Sequence, residues 1–193
     1  MEQIVQLNSN AKLSEHFTLG EMTKSSSHPE VYNIPSHEAI ANLKRVCGWL
    51  EVLRKRYNER YVVNRRDPST ALGMTGGGTL GMTTAPVSSR LSAAHGEISE
   101  KPIIINSGYR SPQLNKKIGG VPTSNHLTGC AVDIRVTGME QLIRYANILL
   151  DYADESHQDF DELLIERNRY GAIWLHFAVR AKGNRRKVAF INA

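Results

Sequence analysis

The run Ser124-Asn125-His126-Leu127-Thr128-Gly129-Cys130-Ala131-Val132-Asp133 changes character in its middle. Its first half is a polar loop. Gly129 permits a sharp chain reversal, and the apolar residues that follow predict a buried strand over 131–136. His126 therefore lies on a loop and Asp133 within a strand, where the two can converge on one point. A carboxylate between Val132 and Ile134 is costly to bury unless it is paired or binds a cation. A third candidate is His176, in Ile173-Trp174-Leu175-His176-Phe177-Ala178, whose apolar and aromatic flanks put its strand at least partly in the core. Two imidazoles and one carboxylate form a three-ligand set that leaves a fourth tetrahedral position for water, the arrangement of catalytic rather than structural zinc sites. Iron(II) could use the same ligand types, although no oxygenase context accompanies them.

Outward from this stretch the chain alternates between helical and strand patterns. Residues 13–22 read as a short helix or turn with Ser14 ahead of apolar residues. Ser36 reads as an N-cap, and Ile40, Leu43, Val46, Cys47, Leu50 and Leu53 recur at helical spacing up to about Tyr57. Residues 101–106 suit a buried strand. Ser111-Pro112 predicts a short helix that ends near Gly119-Gly120, and 139–154 an amphipathic helix. Short strands are expected at 161–166, 172–179 and 187–191. This order implies an α+β domain with a largely antiparallel sheet in its C-terminal half.

Between the first long helix and residue 101 the pattern lapses. Residues 58–100 are rich in Gly, Ser and Thr and read as a flexible, low-complexity insert within a single domain spanning 1–193. Leu72-Gly73-Met74-Thr75 recurs there as Leu80-Gly81-Met82-Thr83, too short and polar to be a structural repeat. Gly76 to Gly78 are not followed by Lys-Ser/Thr, so they make no phosphate loop.

Composition narrows the class. The chain has 193 residues, 40% hydrophobic and 22% charged, values ordinary for a soluble globular domain. No window approaches the roughly 18 consecutive apolar residues of a transmembrane helix, so no membrane span is expected. The start carries Glu2 and no apolar core of about 7–15 residues, which predicts cytoplasmic synthesis. Cys47 and Cys130 read as buried thiols, not a disulfide. The net charge of +5 favours anionic partners. The basic runs at 54–66 and 182–187 read as a solvated helix end and a tail. With neither an RNA-binding aromatic motif nor a helix-turn-helix pattern, nucleic acid is not the expected partner.

Three fragments in order, INSGYRS (105–111), GG-x3-SNHLTGCAVDI (119–134) and IWLHFAV (173–179), resemble the zinc D-Ala-D-Ala carboxypeptidase family. That peptidase grouping also holds D-Ala-D-Ala dipeptidases and the hedgehog signalling domain. The opening LSEHFTLGEMTKS (13–25) is similar to the lead-in of its phage and bacteroidal branch. The resemblance implies a hedgehog/DD-peptidase-like fold, a small antiparallel sheet packed with helices around a Zn2+ site. Its ligands would be His126, Asp133 and His176. It also implies hydrolysis of D-alanyl bonds in peptidoglycan stem peptides, as a carboxypeptidase or endopeptidase, with an endolysin that reaches the wall after lysis as one form. A zinc-containing, non-catalytic wall-binding module of the same fold is the alternative.

By the same resemblance Arg110 stands near substrate, where its guanidinium would hold a carboxylate or the forming oxyanion. Ser124, Tyr109 and Trp174 join it as candidate substrate-binding residues. The dipeptidase branch has a Glu three residues before its last histidine, a position held here by Ile173. The expected general base is therefore Glu166, at the end of the preceding strand, with Glu162 on the same strand face as the runner-up. The sequence is silent on oligomeric state.

Overall fold

The structure is a computed structural model and describes residues 8–62 and 100–192. Most of the expected insert, residues 63–99, lies outside that range. Its first part does not. Asn58–Val62 continues the preceding helix as a π-helical turn, and Asn58 explains why. Its side chain donates to Arg54 O at 2.8 Å and Lys101 O at 3.1 Å, and accepts from Lys101 N at 2.7 Å.

The opening segment forms α1 (Leu19–Thr23). Its cap is Thr18, not Ser14. The Thr18 side chain accepts from Glu21 N while the Glu21 carboxylate accepts from Thr18 N, a reciprocal capping box. The long helix α2 (His37–Tyr57) starts at Ser36 as expected, with Arg54, Lys55 and Arg56 in the last turn, where the helix dipole favours cations. After the short strand β1 (Ile105–Ser107) comes α3 (Pro112–Lys117), capped by Ser111. A 3-10 turn (Asn125–Thr128) then leads into β2 (Ala131–Arg135), followed by α4 (Met139–Ser156), β3 (Glu162–Arg167), β4 (Ile173–Ala178) and β5 (Lys187–Asn192).

The five strands form one sheet in the order β1-β2-β4-β3-β5. Three pairings are antiparallel, but β5 runs parallel to β3, so the sheet is mixed. The reason is steric. β4 already has β2 on one side and β3 on the other, so the returning chain cannot close a hairpin on it. It crosses instead to the outer edge of β3, with Arg186 N donating to Phe160 O and Lys187 N to Asp161 O. β1 is shorter than the expected 101–106, in keeping with Pro102, which has no N–H to donate.

Period-two alternation divides the sheet into two faces. Val132, Ile134, Leu163, Leu175 and Phe177 are almost wholly buried and join one core with α2 and α4. Trp49 of α2 packs against Phe177 and Tyr152 within it. Cys47 and Cys130 are buried free thiols. The other face carries Asp133, His176, Glu162, Glu166 and Trp174. No helix among the described residues is long and apolar enough to cross a membrane.

Candidate metal centre

His126 is delivered by the 3-10 turn. Ser124 caps that turn by accepting from His126 N at 3.3 Å, and Gly129 closes it in the left-handed region at φ 71°. A Cβ on Gly129 would stand 2.5 Å from Ala39 O of α2, so the turn can rest on the helix only with glycine there. Asn42 of α2 donates to Thr128 O at 2.9 Å and holds the same contact. The imidazole is oriented by its far nitrogen. Nδ1 lies 2.6 Å from Gly108 O, a contact that requires a proton on Nδ1 and leaves the Nε2 lone pair facing inward.

Asp133 and His176 sit opposite each other on β2 and β4. Three ligand atoms meet between these strands and the turn. His176 Nδ1 is 2.9 Å and His126 Nε2 3.2 Å from Asp133 Oδ1, and the two nitrogens are 3.3 Å apart. Neighbouring ligands of a tetrahedral zinc ion, bound at about 2.0–2.1 Å, stand about 3.3–3.4 Å from one another. All three side chains are buried. The outer nitrogen of His176, Nε2, has no hydrogen-bond partner among the described residues and faces Glu162 Oε2 at 3.6 Å. A carboxylate behind a ligating imidazole is the usual outer support of a zinc histidine. On atom type, spacing and burial the residues fit zinc.

Asp133 and His126 carry the charge that a metal ligand needs, whereas His176 has to give up a proton to bind. Burial opposes ionisation of Asp133, but His126 and His176 outweigh it and hold the carboxyl well below the usual range. Burial also keeps His126 below its ordinary value, as a neutral ligand. It works against protonation of His176 as well, yet there Asp133 and Glu162 prevail and raise the group to about 9.

The site opens into a cleft of about 750 Å³. Arg110, Ser124, Trp174, Glu162 and Glu166 all line it. Arg110 is committed to Asp133: Nη2 pairs with Oδ2, the oxygen that the imidazoles do not use, and Nε donates to Ser107 Oγ at 2.8 Å. Tyr109 is not brought to the site. While Arg110 lines the cleft, Tyr109 packs into the core at 8% exposure.

Glu162 and Glu166 differ sharply. The facing His176 is the chief cause that lowers Glu162 to about 2, with the Asn125 amide and Arg185 adding to it. Burial raises Glu166 above its ordinary value. Ile173 is half-buried against the core, so its position contributes no acid.

Sequence reasoning missed the supports. Asn125 donates to Asp161 Oδ2 at 2.7 Å and Glu162 Oε2 at 2.8 Å, and accepts from Arg180 Nε at 2.9 Å. Asp161 is fully buried and is met by Arg185 Nε at 2.8 Å and Nη2 at 2.7 Å. The basic run at 182–187, expected to be a solvated tail, is thus partly structural. Arg186 pairs with Asp154 and Asp159 in the same way. The one available signal was an acid, Asp161, at the head of an apolar strand with an arginine run downstream.

Comparison with known families bears directly on this cluster. Residues 83–160 match the model of the family Peptidase M15. The matched segment contains Arg110, Ser124, His126 and Asp133, and it ends before the strands that bring Glu162, Glu166 and His176. No curated protein matches the chain. The family match and the three-ligand cluster together support a zinc-dependent metallopeptidase.

Proposed function

We propose that the protein hydrolyses D-alanyl peptide bonds of bacterial peptidoglycan, as a DD-carboxypeptidase or endopeptidase. The observation that carries this reading is the approach of His126 Nε2, Asp133 Oδ1 and His176 Nδ1 to within 2.9–3.3 Å of one another, with Glu166 lining the same cleft. Those three atoms would hold a zinc ion, which would supply a Lewis acid for the scissile carbonyl and lower the pKa of a bound water to roughly 7. Glu166, made more basic by burial, takes the proton from the attacking water and returns it to the leaving amine. Arg110 lines the cleft with Nη1 uncommitted among the described residues, and that donor stabilises the oxyanion. Trp174, opposite Glu166 in the β3–β4 register, forms the wall beside the base. The net charge of +5 suits an anionic wall, and action there after lysis, as an endolysin, is part of the proposal.

A second reading has one observation in its favour. Ile173 occupies the position where the dipeptidase branch carries its acid, which suits a zinc-containing wall-binding module without catalysis. Digestion of purified peptidoglycan by the zinc-loaded protein, followed by detection of new amino termini, decides between them. Release of D-alanine or of cross-link fragments establishes the hydrolase. Binding to the wall without any new termini between pH 5 and 9, about the range over which such a base works, establishes the module.

A further inference from the structure

One wall of the cleft is cationic, and no step of the hydrolysis above uses it. Arg180, Arg185 and Lys187 stand there with side-chain exposures of 35%, 47% and 46%, and all three line the cleft that holds the zinc ligands. They are not loose surface charges. Arg180 is pinned through Nε, which donates to Asn125 Oδ1 at 2.9 Å and lies 3.0 Å from Asp161 Oδ2. Arg185 is held through Nε and Nη2 by the fully buried Asp161, and Nη2 also reaches Glu162 Oε1 at 2.9 Å. Lys187 is 3.5 Å from the same Glu162 oxygen.

The pinning leaves donors over. Nη1 and Nη2 of Arg180 and Nη1 of Arg185 have no partner among the described residues, and each belongs to a guanidinium whose plane is already fixed. Ordering such a fork in advance lowers the entropy cost of binding an anion, and its geometry matches a carboxylate. Three cations against two carboxylates, Asp161 and Glu162, leave one positive charge on this wall. That surplus suits a single carboxylate. A polyanion would also meet Glu166 and Asp133 in the same cleft. Ile118 and Val121 line the same cleft and are exposed at 39% and 63%, so it presents apolar as well as cationic groups to one extended peptide.

We infer that Arg180, Arg185 and Lys187 form a subsite for a peptide carboxylate, which makes the preferred substrate an acidic peptide rather than its amidated counterpart. The inference rests on the proposed peptidase reading for the identity of the peptide. Two sources offer the group: the free C-terminus of a peptide ending in D-alanine, or a carboxylate within the stem.

The test uses zinc-loaded protein and three synthetic stem peptides ending in D-Ala-D-Ala: the free acid, the C-terminal amide, and the form amidated on its internal carboxylates. Cleavage rate and calorimetric affinity are both measured. The expected result is that one amidation weakens binding about tenfold, the loss of one charge-assisted hydrogen bond, and identifies the carboxylate that is read. Arg180→Gln should then bind acid and amide alike. Because Arg180 also braces Asn125, Lys187→Gln serves as a second variant with only its long contact to Glu162 to lose, and metal content and melting temperature are recorded for both. Equal affinity for all three peptides overturns the subsite even if all are cut, and leaves the peptidase standing. A peptide that binds through its carboxylate but is never cut upholds the subsite and overturns the peptidase. Absence of both binding and cleavage overturns the two together.

Discussion

Glu162 and Glu166 share one face of β3 and line the same cleft, yet their carboxyl groups are driven in opposite directions. His176 and the cations beside it lower Glu162 to about 2, whereas burial raises Glu166. A carboxylate held by several cations is a poor proton acceptor, and one that burial has made more basic is a better one. On the proposed reading, the strand thus separates an outer support for the metal, Glu162, from a base for the reaction, Glu166.

The two glutamates should therefore fail differently. Glu166→Gln is expected to keep full zinc content and to lose about 10²- to 10⁴-fold in kcat, the usual contribution of a general base. Glu162→Gln should instead weaken zinc binding by about 10- to 100-fold, as loss of an outer partner to a ligating histidine does. Metal analysis beside a muropeptide digestion separates them. Loss of zinc in Glu166→Gln would remove its assignment as the base.

Removal of a ligand is a harsher change. His126→Ala, His176→Ala and Asp133→Asn should each lose zinc by more than about 100-fold in affinity, beyond the effect of an outer partner. Treatment of the wild type with a chelator should lower its melting temperature, because a ligand that binds only the folded state stabilises it by mass action. The same treatment should leave the melting temperature of His126→Ala unchanged. Differential scanning calorimetry with and without chelator checks both statements.

Much of this arrangement was legible in the sequence. The capped helix at Ser36 and the strands that bear Asp133 and His176 follow from period and residue type, because each is a local pattern, whereas the union of His126, Asp133 and His176 as one ligand set drew on the family resemblance. The parallel placement of β5 was not legible, since it depends on which edges of the sheet remain free after β2, β3 and β4 have paired. Tyr109 escapes sequence reasoning for a related reason: its place beside Arg110 suggests a site residue, but the direction of a side chain in a loop is set by what packs behind it. The part played by Asp161, Asn125 and Arg185 was hidden because their contacts join residues 24 to 37 positions apart, and a basic run gives no sign of such a partner.

Glycine at 129 should prove indispensable for geometry as well as conformation. Gly129→Ala introduces strain at φ 71° and sets a Cβ 2.5 Å from the Ala39 carbonyl oxygen, a backbone atom that cannot rotate away. Gly171 offers the control. It has φ 86°, and a Cβ added there would meet nothing within 4 Å, so Gly171→Ala should cost only the conformational strain, about 1 kcal/mol. Gly129→Ala should cost about 2–4 kcal/mol and also weaken zinc binding, because the turn that carries His126 must lift from α2. Urea denaturation of the two variants, with metal content measured in parallel, makes the comparison. Equal costs would show that the contact with α2 is not tight.

Acid should loosen the network behind the site at Asp161. Burial disfavours its charged form, but hydrogen bonds from Arg185 and Asn125 outweigh that and place the folded-state value below the ordinary 3.8. A carboxyl with a depressed value in the folded state stabilises the protein above its unfolded value, and that stabilisation is lost as pH falls through the folded value. The stability of the wild type should therefore decline below about pH 4, in part through this group. Asp161→Asn should lack that part of the decline and should be less stable than the wild type near pH 6 by about 1–3 kcal/mol. The lower end of the range for breaking a buried pair applies, because Arg185 is half exposed and water takes over part of its charge. Urea midpoints measured from about pH 2.5 to about pH 6, a window that brackets the ordinary carboxyl value, give the slope of each protein. Parallel slopes in the two would mean that Asp161 titrates normally in the folded state and that Asn125 is held in place by Arg180 and Glu162 alone.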